Sequence, residues 1–155
     1  MRANILAIAL LLLPGVAVAR DLPSGGLTLD EIMAWLQNDV HVPAAYDTSS
    51  DGTKNIKVSV DGGNFHIYTY DCKGGDRCGS LQFSAGYDTK GAWGPGPMND
   101  WNRDNRWVHA YVDKVNDPWI EYDVDLTPGG TYELLGDELG IWRDSVSNFR
   151  KFIKW

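Results

Sequence analysis

Few residues in this chain have the types and spacing to do chemistry. In "WIEYDVDL" three carboxylates, Glu121, Asp123 and Asp125, recur at every second position. On a strand that spacing places them on one face, with about 7 Å between successive carboxylates. Such residues could act as the acid and base of a glycosidase. They could also gather oxygens around calcium, although the EF-hand loop pattern is missing. Ordinary solvated side chains on an alternating strand explain them as well, and with less machinery. His41, His66 and His109 are dispersed and lack a metal-binding spacing such as H-E-x-x-H. The sequence contains no G-x-S-x-G elbow, P-loop or dinucleotide fingerprint. It therefore predicts no enzyme, no metal site and no cofactor.

The two cysteines lie in "YDCKGGDRCGSLQF", at Cys72 and Cys78. A structural zinc would require four ligands with tighter cysteine pairs, and a redox site would more typically read C-x-x-C. The flanks "NFHIYTYDC" and "CGSLQFSAGY" alternate and are rich in β-formers, while "KGGDR" is turn material. A disulfide across an antiparallel hairpin satisfies all of this, and it sets a register. Tyr70 then faces Ser80, Tyr68 faces Gln82 and His66 faces Ser84, with Thr69–Leu81, Ile67–Phe83 and Phe65–Ala85 on the opposite side. A bridge this local should stabilise by roughly 2 kcal/mol.

Disulfides persist in oxidising compartments, and the N-terminus agrees with export. Arg2, the apolar run Ile5 to Leu13, the break at Pro14-Gly15 and the small residues Ala17 and Ala19 read as a secretory signal peptide over residues 1–19. The run is short for a membrane span. The remaining chain, residues 20–155, is expected to be one periplasmic or secreted domain without a membrane segment. Loss of Arg2 leaves 13 basic against 21 acidic residues, a net charge of −8. Such a surface repels nucleic acid and favours a basic protein or a cation.

The elements that must position these residues follow from periodicity. "TLDEIMAWLQND" reads as a helix with a Thr28–Glu31 capping box and Leu29, Ile32, Met33 and Leu36 on one face. Pro43 restricts the next strand to a sheet edge. "NIKVSV" points Ile56, Val58 and Val60 inward and Lys57 and Ser59 outward, and "DGGN" then turns into the cysteine hairpin. After a Gly/Pro loop and a short helix or turn at "PMNDWNRDN", two strands direct Val108, Ala110, Val112, Ile120, Tyr122, Val124 and Leu126 inward. The C-terminal segment is a long helix with the stripe Leu135, Leu139, Trp142, Val146, Phe149 and Ile153. Gly136 and Gly140 each weaken that helix by about 1 kcal/mol, which close packing on the sheet would explain. The expected class is α+β, an antiparallel sheet with helices packed on one face.

The other face should then carry Tyr68, Tyr70, Gln82, Trp107, His109, Tyr111, Trp119, Glu121, Asp123 and Asp125. Aromatics mixed with carboxylates suit a recognition surface, and cross-strand pairing alone would also account for them. Asn99, Trp101 and Asn102 are expected to be architectural, the asparagines capping a helix start or closing turns and Trp101 filling core.

The run "CGSLQFSAGY…MNDWNRDNRWVHAYVDK…PWIEYDVDLTPGG" resembles the YbjN domain family of small bacterial proteins labelled sensory transduction regulators. The likeness rests on Cys72, Cys78 to Phe83, Asn99 to Asn102, Asp123 to Leu126 and Trp142. It implies a fold like that of type III secretion chaperones, which dimerise and bind polypeptide, and it brings no catalytic residues. Three functions stay open at this level. The first is a non-enzymatic periplasmic protein-binding, chaperone-like or regulatory domain, with a homodimer implied by the fold. The second is an inhibitor of a basic envelope hydrolase such as lysozyme, because the bridged "CKGGDRC" loop is similar to a shorter, histidine-bearing loop of periplasmic lysozyme inhibitors. The third is a carboxylate-dependent hydrolase.

Overall fold

The structure is a computed structural model that describes residues 19–60, 63–74 and 76–155. The signal peptide, all but Ala19, and the Asp61-Gly62 part of the "DGGN" turn lie outside the described residues. The elements are α1 (Leu29–Asn38), β1 (Ala44–Thr48), β2 (Lys54–Val60), β3 (Gly63–Cys72), β4 (Cys78–Gly86), α2 (Pro95–Asp104), β5 (His109–Val112), β6 (Pro118–Asp125) and α3 (Tyr132–Phe152). The strands form one six-stranded sheet in the order β1-β2-β3-β4-β6-β5. Every pairing is antiparallel, so the protein is α+β. No described helix is long and apolar enough to cross a membrane.

Alternation assigns the two faces. Ile56, Val58, Phe65, Ile67, Leu81, Phe83, Ile120 and Val124 all point to the helical side and are buried. There Trp142 of α3 stacks on Phe83 at 5.8 Å and meets Phe65 edge-on at 5.7 Å. The α3 stripe is as expected from its spacing, with Val146 half-buried and the other five residues buried. Trp101 packs against Phe149 at 5.0 Å and Phe152 at 5.3 Å, which seals α2 onto α3.

Local chemistry explains where the elements begin. The capping box of α1 is formed, Glu31 N donating to Thr28 Oγ1 at 3.1 Å and Thr28 N to Glu31 Oε2 at 2.9 Å. Pro95 begins α2, where its missing N–H costs nothing. The hairpin of β3 and β4 has the register derived from the cysteines, with Cys72 opposite Cys78 and Tyr68 opposite Gln82. Gly26 lets the N-terminal segment approach closely, since a Cβ there would sit 1.9 Å from the Cys78 carbonyl oxygen.

Three expectations need correction. The asparagine cluster lies inside α2 rather than at its start. Asn102 instead serves the sheet edge, its Nδ2 donating to Ala110 O at 2.9 Å and its Oδ1 accepting from Ala110 N at 2.7 Å. A side chain thereby blunts the edge of β5, as a further strand would. Trp107 is not part of a strand, because a left-handed φ of 75° delays β5 until His109. Gly136 and Gly140 are not close-packed, since a Cβ at either would meet nothing within 4 Å.

Candidate functional site: the open sheet face

The uncovered face is built from rows that cross the strands. One row reads Lys57, His66, Ser84, Glu121 and His109. Flanking rows read Tyr68, Gln82 and Asp123, then Tyr70, Ser80 and Asp125. On the other flank Gly86, Trp119 and Tyr111 align. The register thus gathers every strand residue anticipated for this face, and Trp107 stands apart from them. Trp107 is 59% exposed with the Arg106 guanidinium 4.6 Å above its ring. Among the turn residues, Trp101 is buried and Asn99 is exposed on α2.

Glu121 is the hub. Its carboxylate accepts from Tyr111 Oη at 2.8 Å and Ser84 Oγ at 3.2 Å, and it pairs with His109 Nε2 at 3.1 Å. Burial, and then the bond to Glu121, push the Tyr111 phenol well above its usual range, so the phenol stays a donor. Trp119 lies across Gly86, where a Cβ would come within 2.5 Å of the indole, and it stacks on Tyr111 at 6.5 Å. Alongside, Gln82 Nε2 donates to Asp123 Oδ1 at 2.8 Å. Tyr70 is 47% exposed, and its phenol is held above its usual range by burial and then by Glu121 and Asp123.

A second polar knot joins β1, β2 and β3, and the sequence reading missed it. Asn55, 1% exposed, donates to Ser49 Oγ at 3.1 Å and Thr53 O at 3.3 Å. A carbonyl only accepts, so the amide NH2 faces Thr53 and Oδ1 faces His66 Nδ1 at 2.9 Å. His66 therefore carries its proton on Nδ1. Burial lowers the His66 pKa against the opposing pull of Asp47. The alternation that sent Lys57 and Ser59 outward also sends Asn55 outward, which was the available signal. The pairing of β1 with β2 was not derivable, so Asp47 and Ser49 had no assigned place.

At one end this face sinks into a groove of about 770 Å³ bordered by Asp71, Lys73, Arg77, Ser80, Asp123 and Asp125. The disulfide loop that flanks it is tied to α1. Arg77 grips Glu31 through two contacts of 2.8 Å and donates to Gly26 O at 2.6 Å. This grip, acting mainly through the Arg77 hydrogen bonds, holds the Glu31 carboxyl below its usual range.

What this arrangement can do chemically is narrow. In serine hydrolases an imidazole stands between hydroxyl and carboxylate. Here Glu121 stands between Ser84 and His109, so the hydroxyl hands its hydrogen bond directly to an anion. Asp123 and Asp125 are exposed, and Asp123 accepts from Gln82. Among the described residues no group of three or more His, Cys, Asp or Glu is placed to hold a metal ion.

An antiparallel sheet covered on one side by helices, with an aromatic and acidic face on the other, defines an α+β domain. The chain belongs to the YbjN family: a family model described as "Putative bacterial sensory transduction regulator" matches residues 28–155. That description is of a regulator and names no reaction, in agreement with a regulatory or binding role. No match was found among curated proteins.

Proposed function

We propose that this protein is an exported, non-enzymatic binding domain that holds a lysine- or arginine-rich segment of a partner protein on its open sheet face. One observation carries the reading. Exposed Tyr70 shares a cross-strand row with Asp125 and adjoins a groove where Asp71, Asp123 and Asp125 face the cations Lys73 and Arg77, of which Arg77 is paired with Glu31. A cationic side chain entering there would meet carboxylates and the face of a phenol together, the combination that favours ammonium and guanidinium groups. The charge of the whole chain steers such a partner inward, and the Cys72–Cys78 bridge suits an oxidising compartment. A chaperone-like role in the periplasm fits the same surface.

The test is site-specific photocrosslinking in the native envelope, with the crosslinker at Tyr70, at Asp125, and at exposed Leu134 of α3 as the control. Both open-face positions should yield the same adduct, recovered from the periplasmic fraction and identified by mass spectrometry, and Leu134 should not. Equal adducts from Leu134, or none from Tyr70 and Asp125, would remove the open face as the contact surface.

A further inference from the structure

The two ends of the Cys72–Cys78 bridge differ. Cys72 is exposed, whereas Cys78 is 3% exposed. Both border a groove of about 650 Å³ between the start of α1, strand β1, the start of β2 and the end of β3. That volume falls within the ~300–1,000 Å³ of small-molecule sites. The charged residues of its lining are Asp30, Asp47, Asp76 and Lys54, and four threonines accompany them. Such a lining suits a hydrophilic body better than an alkyl chain, which would strip water from these groups and give no hydrogen bond in return.

The backbone around the bridge does not depend on the sulfurs alone. Cys78 N donates to Leu27 O at 2.9 Å, and Leu27 N donates to Cys78 O at 3.1 Å. Arg77 is fixed by Glu31 and Gly26, and its own carbonyl accepts from Lys73 N at 3.1 Å. The β3–β4 pairing runs on through Tyr70 and Ser80. Opening the bridge would therefore free the Cys72 side chain and leave Cys78 in place. Beside Cys72, Asp71 holds a left-handed φ of 55° inside β3. Residues other than glycine take that conformation infrequently, and it recurs at functional sites.

We propose that the bridge is a thiol-exchange site at which Cys72 reversibly takes up a small hydrophilic thiol of the cysteine type. The incoming thiolate attacks Cys72 Sγ and forms a new S–S bond there. The Cys72–Cys78 bond breaks, and its electron pair leaves on Cys78 Sγ, which takes a proton from water. The incoming sulfur is oxidised and the Cys78 sulfur is reduced, so the thiol is the only co-reactant. Access selects the sulfur that is attacked, and Cys72 is the open end. The Cys78 thiol, still held beside Leu27, reverses the step by attacking the mixed disulfide, which makes the adduct a removable cap. The site is independent of the open face and of any protein partner.

L-Cysteine in excess is the probe, added to the exported form of the full chain, with acid quenching, pepsin digestion and mass spectrometry as the readout. The mixed disulfide should sit on Cys72, with Cys78 recovered as a thiol. The bridge should open at a rate independent of urea below the unfolding transition. At equal thiolate concentration, 1-butanethiol should open it several-fold more slowly. As a second measurement, Cys78→Ser and Cys72→Ser each leave one thiol and are treated with L-cystine. In variants that keep their circular dichroism, Cys72 should be modified about tenfold or more faster than Cys78, as its exposure predicts. Adducts on Cys78, a rate that climbs with urea from zero upward, an equal or faster reaction of 1-butanethiol, or equal reactivity of the two single thiols would overturn the proposal.

Discussion

The two faces of the sheet come from the same alternating strands and are held by different physics. On the helical face, large apolar side chains interlock around Trp142, where the stabilising terms are apolar burial and dispersion. On the open face, order comes from hydrogen bonds radiating from Glu121 and Asn55 and from rings stacked along the strands. A covered face tolerates few polar groups because each needs a partner. An uncovered one has water as an alternative partner for its exposed groups, while Asn55 and Ser84, buried beneath them, need their partners and thereby pre-organise the exposed side chains they hold. Pre-organised groups lose less entropy when they bind. This contrast is the physical reason for proposing the open side, rather than the covered one, as the contact surface.

The largest effect should come from the centre of the covered face. Trp142→Ala removes a side chain with no solvent exposure and should cost about 3–5 kcal/mol, as other buried aromatic truncations do. Trp107→Ala removes the same side chain from a site 59% exposed and should change stability by less than about 0.5 kcal/mol. Urea denaturation of both variants measures the difference. Trp107 stands apart from both faces, so equal losses would mean that burial beneath the helices is not what stabilises the covered face.

Within the open face the comparison repeats on a smaller scale. Ser84 is 2% exposed and its hydroxyl donates to Glu121, so Glu121→Ala leaves a buried donor stranded. The expected cost is about 1–3 kcal/mol. Asp123→Ala, at an exposed position, should stay within about 0.5 kcal/mol. The same denaturation experiment decides this pair, and a harmless Glu121→Ala would show that the hub contributes little to order.

The helical layer carries a correctable weakness. Gly136 sits inside α3 with open space around its missing Cβ, so Gly136→Ala should stabilise by about 1 kcal/mol through helix propensity alone. A rise in the thermal midpoint confirms it. A fall would reveal a packing constraint at that position.

How much of this was legible in the sequence differs between the faces for a physical reason. Apolar periodicity is a local signal, and it placed Leu139, Trp142, Phe83 and Ile120 in the core without knowledge of their neighbours. The two cysteines set the β3–β4 register, and that register alone brought Tyr68 to Gln82 and His66 to Ser84. The hub at Glu121 also needs the pairing of β4 with β6, which no local pattern encodes. Trp107 was misplaced because alternation assumes an extended backbone that its φ breaks. Asn102 was read as a local cap because its true partner, Ala110, belongs to another element.

The smallest predicted effect concerns His66, where the open face most nearly behaves like the covered one. The imidazole is half-buried beside Asn55, with Asp47 and Lys57 as its charged neighbours, and burial is the largest cause of its lowered pKa. Between the ordinary and the lowered value, the unfolded chain binds a proton that the folded chain refuses, so stability declines as pH falls. The contribution is complete above about pH 6.5, the ordinary histidine value, and is lost as pH drops through the folded value. Glu31 changes stability in the same direction but in the more acid range of its own carboxyl, below the histidine window. The thermal midpoint of the wild-type chain should therefore fall more between pH 7.5 and 5.5 than that of His66→Asn. Parallel midpoints in the two proteins would mean that Asp47 offsets the burial of this ring, and that water reaches the β2–β3 knot as freely as it reaches the rest of the open face.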